Sequence, residues 1–261
     1  MTDWLAICRD AAGDVRRVLD ELPNRLEREP VVGAGEGGDD TTAIDAAAER
    51  VILARFAGLD TTIVSEEVGI SGTGRWRVVV DPIDGSLNAK RGIPFFSLAV
   101  AVADGDTMGD VFFGYVYDFG SGEEWTATRG DGAHLNGGPL GPDRPKDRIE
   151  ILSFEATRTS YVADKAAAFN GLAHRLRIMG SLALSLCHLA AGRVDAVCSL
   201  KPFRSVDVAA AQLLVVEQGY ALALVDGDEP FESAPLDLVG RSRIAAAGTQ
   251  ALCRQVVEAL A

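Results

Sequence analysis

Residues 81 to 88 read DPIDGSLN, placing two carboxylates, Asp81 and Asp84, around a proline and an apolar residue just ahead of Gly85. The preceding Arg75-Trp-Arg-Val-Val-Val80 is rich in β-formers and predicts a strand that delivers Asp81 to a sheet edge, with both carboxylates at the strand tip. With Pro82 fixing the bend, two hard oxygen ligands can reach one site and the Ile83 carbonyl can add a third, a donor set suited to Mg²⁺. Gly85 lets the backbone come close to a ligand, and its N–H with that of Ser86 can point at a phosphate. Asp, Pro and Gly are also ordinary turn residues, and an aspartate-rich turn accounts for the octet taken alone. A calcium EF-hand does not fit, because the twelfth residue from Asp81 is Gly92 where that loop needs a bidentate glutamate.

These groups need elements to position them. Residues 3 to 29 carry a helical stripe of Leu5, Cys8, Ala12, Val15, Val18, Leu19 and Leu22, broken or kinked near Pro23. A glycine-rich acidic loop, VVGAGEGGDDTT, leads into a helix capped by threonine, TTAIDAAAERVILARF. FFSLAVAVADGDTMGDVFFGYVYD reads as two strands joined near Asp104-Gly-Asp106. The glycine- and proline-rich LNGGPLGPDRPKD then divides one domain, 1–261, into an α+β lobe over 1–137 and an α/β lobe over 148–261. The second lobe opens with the strand RIEILSF and a helix over 161–173, followed by the helix GSLALSLCHLAAG and the strand VDAVCSL. A further helix starts near Ser205 and stops at Gly219. Interleaved strands and helices predict a layered α/β sandwich.

A chain of 261 residues with 48% hydrophobic content buries a large core, and no run of about 18 apolar residues suggests a membrane span. The N-terminus carries charges where a signal peptide needs an apolar stretch. Cys8, Cys187, Cys198 and Cys253 form no CxxC pair and sit among apolar residues, which predicts buried free thiols and a reducing cytoplasm. A net charge of −13 argues against a nucleic-acid partner. The three histidines have no metal or triad spacing and are assigned no chemistry.

The octet does not stand alone. GDDTTAID, VSEEVG, DPIDGSLN and SVDVAAAQLLVVEQG follow one another in an order and at a spacing that resemble the inositol monophosphatase superfamily, over nearly the whole chain. RGIPFFSLAVAV and SLCHLAAGRVDAV look most like the archaeal-type members with dual inositol monophosphatase and fructose-1,6-bisphosphatase activity. The resemblance implies an αβαβα sandwich, two or three Mg²⁺ per site, and direct attack of water on a small phosphate ester without a phosphoenzyme. It implies metal ligation by Glu66, Asp81, the Ile83 carbonyl, Asp84 and Asp207, and water activation by Asp45 with Ser86, where the family more often has threonine. It also implies substrate contacts at Gly85, Ser86, Gly180 and Ser181, a looser match of Asp39 or Asp40 to a third-metal loop, and a homodimer. Each position has a plainer reading. Asp45 lies three residues after Thr42 and suits a capping arrangement, Glu66 and Glu67 suit a solvated pair, and Asp207 suits an acid in the first turn of a helix.

For the substrate, inositol-specific members commonly carry a glutamate seven residues before the last metal aspartate, and here that position is Leu200. Lys201 and Arg204 stand just ahead of Asp207 and suit a second phosphate, which favours fructose-1,6-bisphosphate, although surface cations are an equal reading. The rivals are a phosphatase for 3'-phosphoadenosine 5'-phosphate or NADP, and a non-catalytic cation-binding scaffold.

Overall fold

The structure, a computed structural model, describes residues 2–36, 40–141, 145–155, 158–240 and 242–261. Helix α1 (Trp4–Glu21) starts where the Asp3 carboxylate accepts from the Ala6 N–H, and it buries Cys8, Ala11, Ala12, Val15 and Val18 along one stripe. It ends before Pro23, which cannot supply the next N–H, and a single turn, α2 (Arg25–Arg28), follows. The short hairpin of β1 (Val31–Ala34) and β2 (Asp40–Thr42) runs into α3 (Ala43–Phe56).

Strands β3 (Thr61–Ser65), β4 (Gly69–Ser71) and β5 (Trp76–Asp84) come next, followed by the short helix α4 (Ser86–Arg91). After β6 (Ser97–Ala103), β7 (Val111–Asp118), β8 (Glu124–Thr128), β9 (Gly132–Leu135) and β10 (Gly138–Pro139), the eight-stranded sheet has the order β10-β9-β8-β7-β6-β5-β3-β4. The strand that carries Asp81 is therefore interior, parallel to β3 and antiparallel to β6, and not at a sheet edge. Its unalternating Val78-Val79-Val80 is the mark of a strand covered on both faces. The ladder with β6 slips between Asp81 and Asp84, so both carboxylates lie where regular pairing gives out.

The second half builds a five-stranded sheet, and its elements in chain order are β11 (Ile149–Glu155), α5 (Thr159–Ala166), β12 (Ala173–Arg177), α6 (Leu182–Ala190), β13 (Ala196–Ser199), α7 (Ser205–Glu217), β14 (Ala221–Leu224), β15 (Ile244–Ala247) and α8 (Gln250–Leu260). The helix expected over 161–173 stops at Ala166. A 3-10 turn and then Gly171, at φ +86°, swing the chain into β12, which pairs in parallel with β11.

Side-chain parity shows the layers. On β5, Val78 and Val80 face α1 and α3, whereas Val79 faces α6 and α7. On β13, Val197 joins that same central core, whereas Ala196 and Cys198 face α8. The order is αβαβα. Helix α7 is buried nearly all round, which is why its sequence lacks an amphipathic stripe. All four cysteines are buried and free, and burial pushes their thiols up, Cys253 to about 11. No helix among the described residues is long and apolar enough to cross a membrane.

Candidate active site

The C-terminal end of β5 opens into a cleft of about 600 Å³. Asp45, Glu66, Asp81, Ile83, Asp84, Gly85, Ser86, Gly180, Lys201, Arg204 and Asp207 all line it. Ser181 stands directly behind and donates to Asp84. Asp40 is at the cleft, and Asp39 lies outside the described residues.

Three carboxylates converge from three separate segments. Glu66 follows β3, Asp81 lies within β5, and Asp207 sits in the first turn of α7, yet one oxygen from each comes within 4.8 Å of the others. Burial pushes Glu66 up to about 8, with Asp207 and Glu67 adding repulsion against the opposing pull of Arg204. Burial and the neighbouring Glu66, Asp84 and Asp207 push Asp81 well above the carboxylate range. Burial also raises Asp84, to about 6, against hydrogen bonds from Ser181 Oγ (2.5 Å) and the Ala183 N–H (2.7 Å) at the start of α6. A set of hard oxygen donors that protein contacts leave short of positive charge fits a hard divalent cation.

Arg204 brings positive charge onto this cluster. Its Nη2 lies 2.5 Å from Glu66 Oε1 and 3.3 Å from Asp207 Oδ1, and the residue is buried. This differs from the expectation of a cation held out for a second phosphate: the guanidinium is turned onto the carboxylates by their uncompensated charge. Lys201 is exposed at the cleft.

Asp45 and Ser86, the two residues expected to activate water, sit in different environments. Ser86 Oγ donates to the Ile83 carbonyl at 2.8 Å. Asp45 Oδ2 accepts from the Thr42 N–H (3.2 Å) and Thr42 Oγ1 (2.5 Å), closing a capping box on α3, and Lys90 Nζ lies 3.4 Å away. Among the described residues Asp45 Oδ1 is buried and has no hydrogen-bond partner. No hydrogen bond joins Asp45 to Ser86, although both face the same cleft.

Backbone geometry makes the junction possible. Gly85 at φ +92° and Gly180 at φ +91° bring the starts of α4 and α6 together, and a Cβ on Gly85 would stand 3.0 Å from the Gly180 carbonyl oxygen. Asn88 Nδ2 ties them by donating to the Phe95 and Met179 carbonyls at 2.8 and 2.7 Å.

The model of the inositol monophosphatase family matches residues 5–261. The chain belongs to that family. This member is 35% identical over 251 residues to the fructose-1,6-bisphosphatase/inositol-1-monophosphatase of Archaeoglobus fulgidus, covering 94% of this chain and 93% of the relative. It is 27% identical to the bifunctional NADP phosphatase/NAD kinase of Methanococcus maripaludis, of which it spans 44%. The crystal structure of the MJ0109 gene product, an inositol monophosphatase-fructose 1,6-bisphosphatase, superposes with a TM-score of 0.87 at 27% identity, covering 99% of this chain and 100% of that one. This family member is a phosphatase, and metal dependence is typical of its family.

Two residues of this phosphatase escaped the reading of the sequence. Glu155, at the end of β11, lines the cleft and accepts from Ser185 Oγ (2.5 Å), Ser153 Oγ (3.0 Å) and the Gly180 N–H (3.1 Å). Burial raises it to about 7. It fastens the start of α6, which in turn holds Asp84. An acid closing a strand, as Asp81 does in RVVVD, was the available signal. Lys90, on α4, is the second. Leu200 is buried in the core behind the second sheet and does not line the cleft.

Proposed function

We propose that this phosphatase hydrolyses small sugar or polyol phosphate monoesters, with fructose-1,6-bisphosphate and/or inositol-1-phosphate as substrates and two or three Mg²⁺ as cofactor. The observation that carries the reading is the convergence of Glu66, Asp81 and Asp207 on one cleft shared with Asp45, Ser86 and Lys201. Those three carboxylates, Asp84 and the Ile83 carbonyl would hold the ions, which when bound supply Lewis acidity toward phosphate and water oxygens.

The remaining work falls to the chain's own groups. Asp45 accepts the proton of the attacking water at Oδ1, the oxygen left without a partner. Ser86, whose hydroxyl donates a hydrogen bond to the Ile83 carbonyl, keeps lone pairs to orient that water. Gly85 and Gly180, both at positive φ and packed too closely for a Cβ, shape the backbone at the phosphate end of the cleft. Leu200 supplies no hydroxyl acceptor for an inositol ring, and Lys201 offers a charge to a second phosphate, so the bisphosphate is favoured. Arg204 serves that phosphate only after leaving Glu66 and Asp207.

The acidic surface and the buried thiols support a cytoplasmic protein, and the family resemblance supports a homodimer of chains that each fold as one two-lobed domain. Phosphate release measured over fructose-1,6-bisphosphate, inositol-1-phosphate, 3'-phosphoadenosine 5'-phosphate and NADP, with and without Mg²⁺, tests the reading. Release led by the bisphosphate and abolished by chelation is expected. Preference for NADP would move this enzyme toward the activity named for its methanococcal relative, and no release from any ester would return the scaffold reading.

A further inference from the structure

Helix α4 places Ser86 and Lys90 four residues apart, on one face, and both side chains line the cleft. Ala89 is in the core, and Arg91 turns outward to Glu29 at 2.7 Å. A lysine at a helix end ordinarily extends its ammonium into water, where hydration is strongest. Here the side chain is only 17% exposed and bends inward to Asp45, whose side chain is 4% exposed. Asp45 Oδ2 thus has two Thr42 donors and the ammonium around it, whereas Oδ1 has none.

We propose that Lys90 is a positioning residue for Asp45. With Thr42 it pins Oδ2, so that the carboxylate turns one defined oxygen, Oδ1, to the attacking water. The proposal rests on the base role given above to Asp45. In the step it serves, a water O–H bond breaks with its proton passing to Oδ1, the water oxygen bonds to phosphorus, and the ester P–O bond breaks with its electron pair leaving on the alcohol oxygen. The capping box alone would hold Asp45 in a structural sense. It leaves the carboxylate free to rock about the Thr42 contacts, and an ammonium held by a different element 3.4 Å from the same oxygen restricts that freedom. A fixed proton acceptor within hydrogen-bond reach of its donor is what general-base catalysis requires.

The test is a kinetic cycle on the Mg²⁺-loaded enzyme with Lys90→Met, Lys90→Arg, Asp45→Asn and the Lys90→Met/Asp45→Asn pair, with melting temperature recorded for each. Lys90→Met is expected to lower kcat at least about tenfold, the scale of one charge-assisted contact, while KM and inhibition by inorganic phosphate stay within about twofold. Lys90→Arg should recover part of kcat, and the double variant should be no slower than Asp45→Asn within about twofold, because the two act through one oxygen. A Lys90→Met enzyme with normal kcat overturns the proposal. So does a loss that multiplies with Asp45→Asn, or a change confined to KM and phosphate inhibition, which would make Lys90 a phosphate contact. Turnover by the wild type with an indifferent Lys90 sinks this inference alone, whereas a wild type that hydrolyses no ester sinks the phosphate-ester reading of the site and this inference with it.

Discussion

Helices α3 and α7 begin in the same way and end up with different tasks. Each carries an aspartate at its third position whose Oδ2 accepts the N–H of the capping residue: Asp45 from Thr42 at 3.2 Å, and Asp207 from Arg204 at 2.7 Å. At α7 the carboxylate also joins the cluster with Glu66 and Asp81, and Arg204 Nη2 lies 3.3 Å from its other oxygen. At α3 the other oxygen has no hydrogen-bond partner among the described residues, and a lysine lies beside the capped one. Capping and chemistry are therefore not rival explanations for a first-turn acid. One oxygen holds the helix, and what surrounds the other sets its use.

The contrast is broken most severely at α7. Asp207→Asn keeps an acceptor for the cap and removes a charge from the cluster, so activity should fall about 10³-fold at low Mg²⁺ with the melting temperature of the metal-free protein nearly unchanged. Titrating Mg²⁺ upward should recover part of the loss. A fully active Asp207→Asn enzyme would remove the metal assignment. At α3 the same substitution should read differently: Asp45→Asn is expected to lower kcat about 10²-fold with an unchanged Mg²⁺ requirement. Should the Mg²⁺ requirement climb while kcat holds, Asp45 belongs with Asp207 and the two helix starts are alike.

A smaller effect sharpens the cationic side of the comparison. Lys201→Ala should raise KM for fructose-1,6-bisphosphate about tenfold, with little change for inositol-1-phosphate, since only the former has a second phosphate to lose. Arg204→Ala should instead affect both esters alike if its place is on Glu66 and Asp207. Equal losses for Lys201→Ala would reduce it to a general contributor.

The smallest effect is thermal. Burial raises Glu66 to about 8 and Asp84 to about 6. The folded state thus holds protons that the unfolded chain releases near pH 4, so the metal-free protein is least burdened below that pH and loses stability as pH climbs through 6 and 8. Mg²⁺ competes with those protons. Its stabilising shift in melting temperature should grow by several degrees between pH 5 and pH 8.5. A shift independent of pH would mean that the cation binds elsewhere.

Much of this was readable beforehand where chemistry and local structure coincide. The octet at 81–88 points to its own candidate ligands because strand, bend and glycine are contiguous, and the stripe of α1 and the stop at Pro23 follow from periodicity and a missing N–H. The interior place of β5 was also written in its three valines, which a reading focused on the strand tip passed over. Helix α5 was drawn too long because Ala167 and Ala168 favour helix locally, and only the turn at Gly171 and the pairing of β12 with β11 override them. Lys90 and the inward turn of Arg204 had no such local mark, and Glu155 had only its place at a strand end. Each owes its place to a partner far away in sequence: Gly180 for Glu155, Asp45 for Lys90, Glu66 for Arg204.

Helices α6 and α7, which fill the space between the sheets, also set the timetable of synthesis. Asp207 is made 126 residues after Asp81, and at roughly 5–20 residues per second the ribosome needs about 6 to 25 s to cover that distance. By the later part of that interval the strands of the first sheet, through Pro139, have been made with α1 and α3 for one face, while the face bearing Val79, Ala99 and Ala101 waits uncovered, and its acidic residues wait for the last of their partners. The newborn chain thus passes through a window in which it is at once sticky and unable to bring its three clustered carboxylates together. The same two helices end both conditions when they arrive.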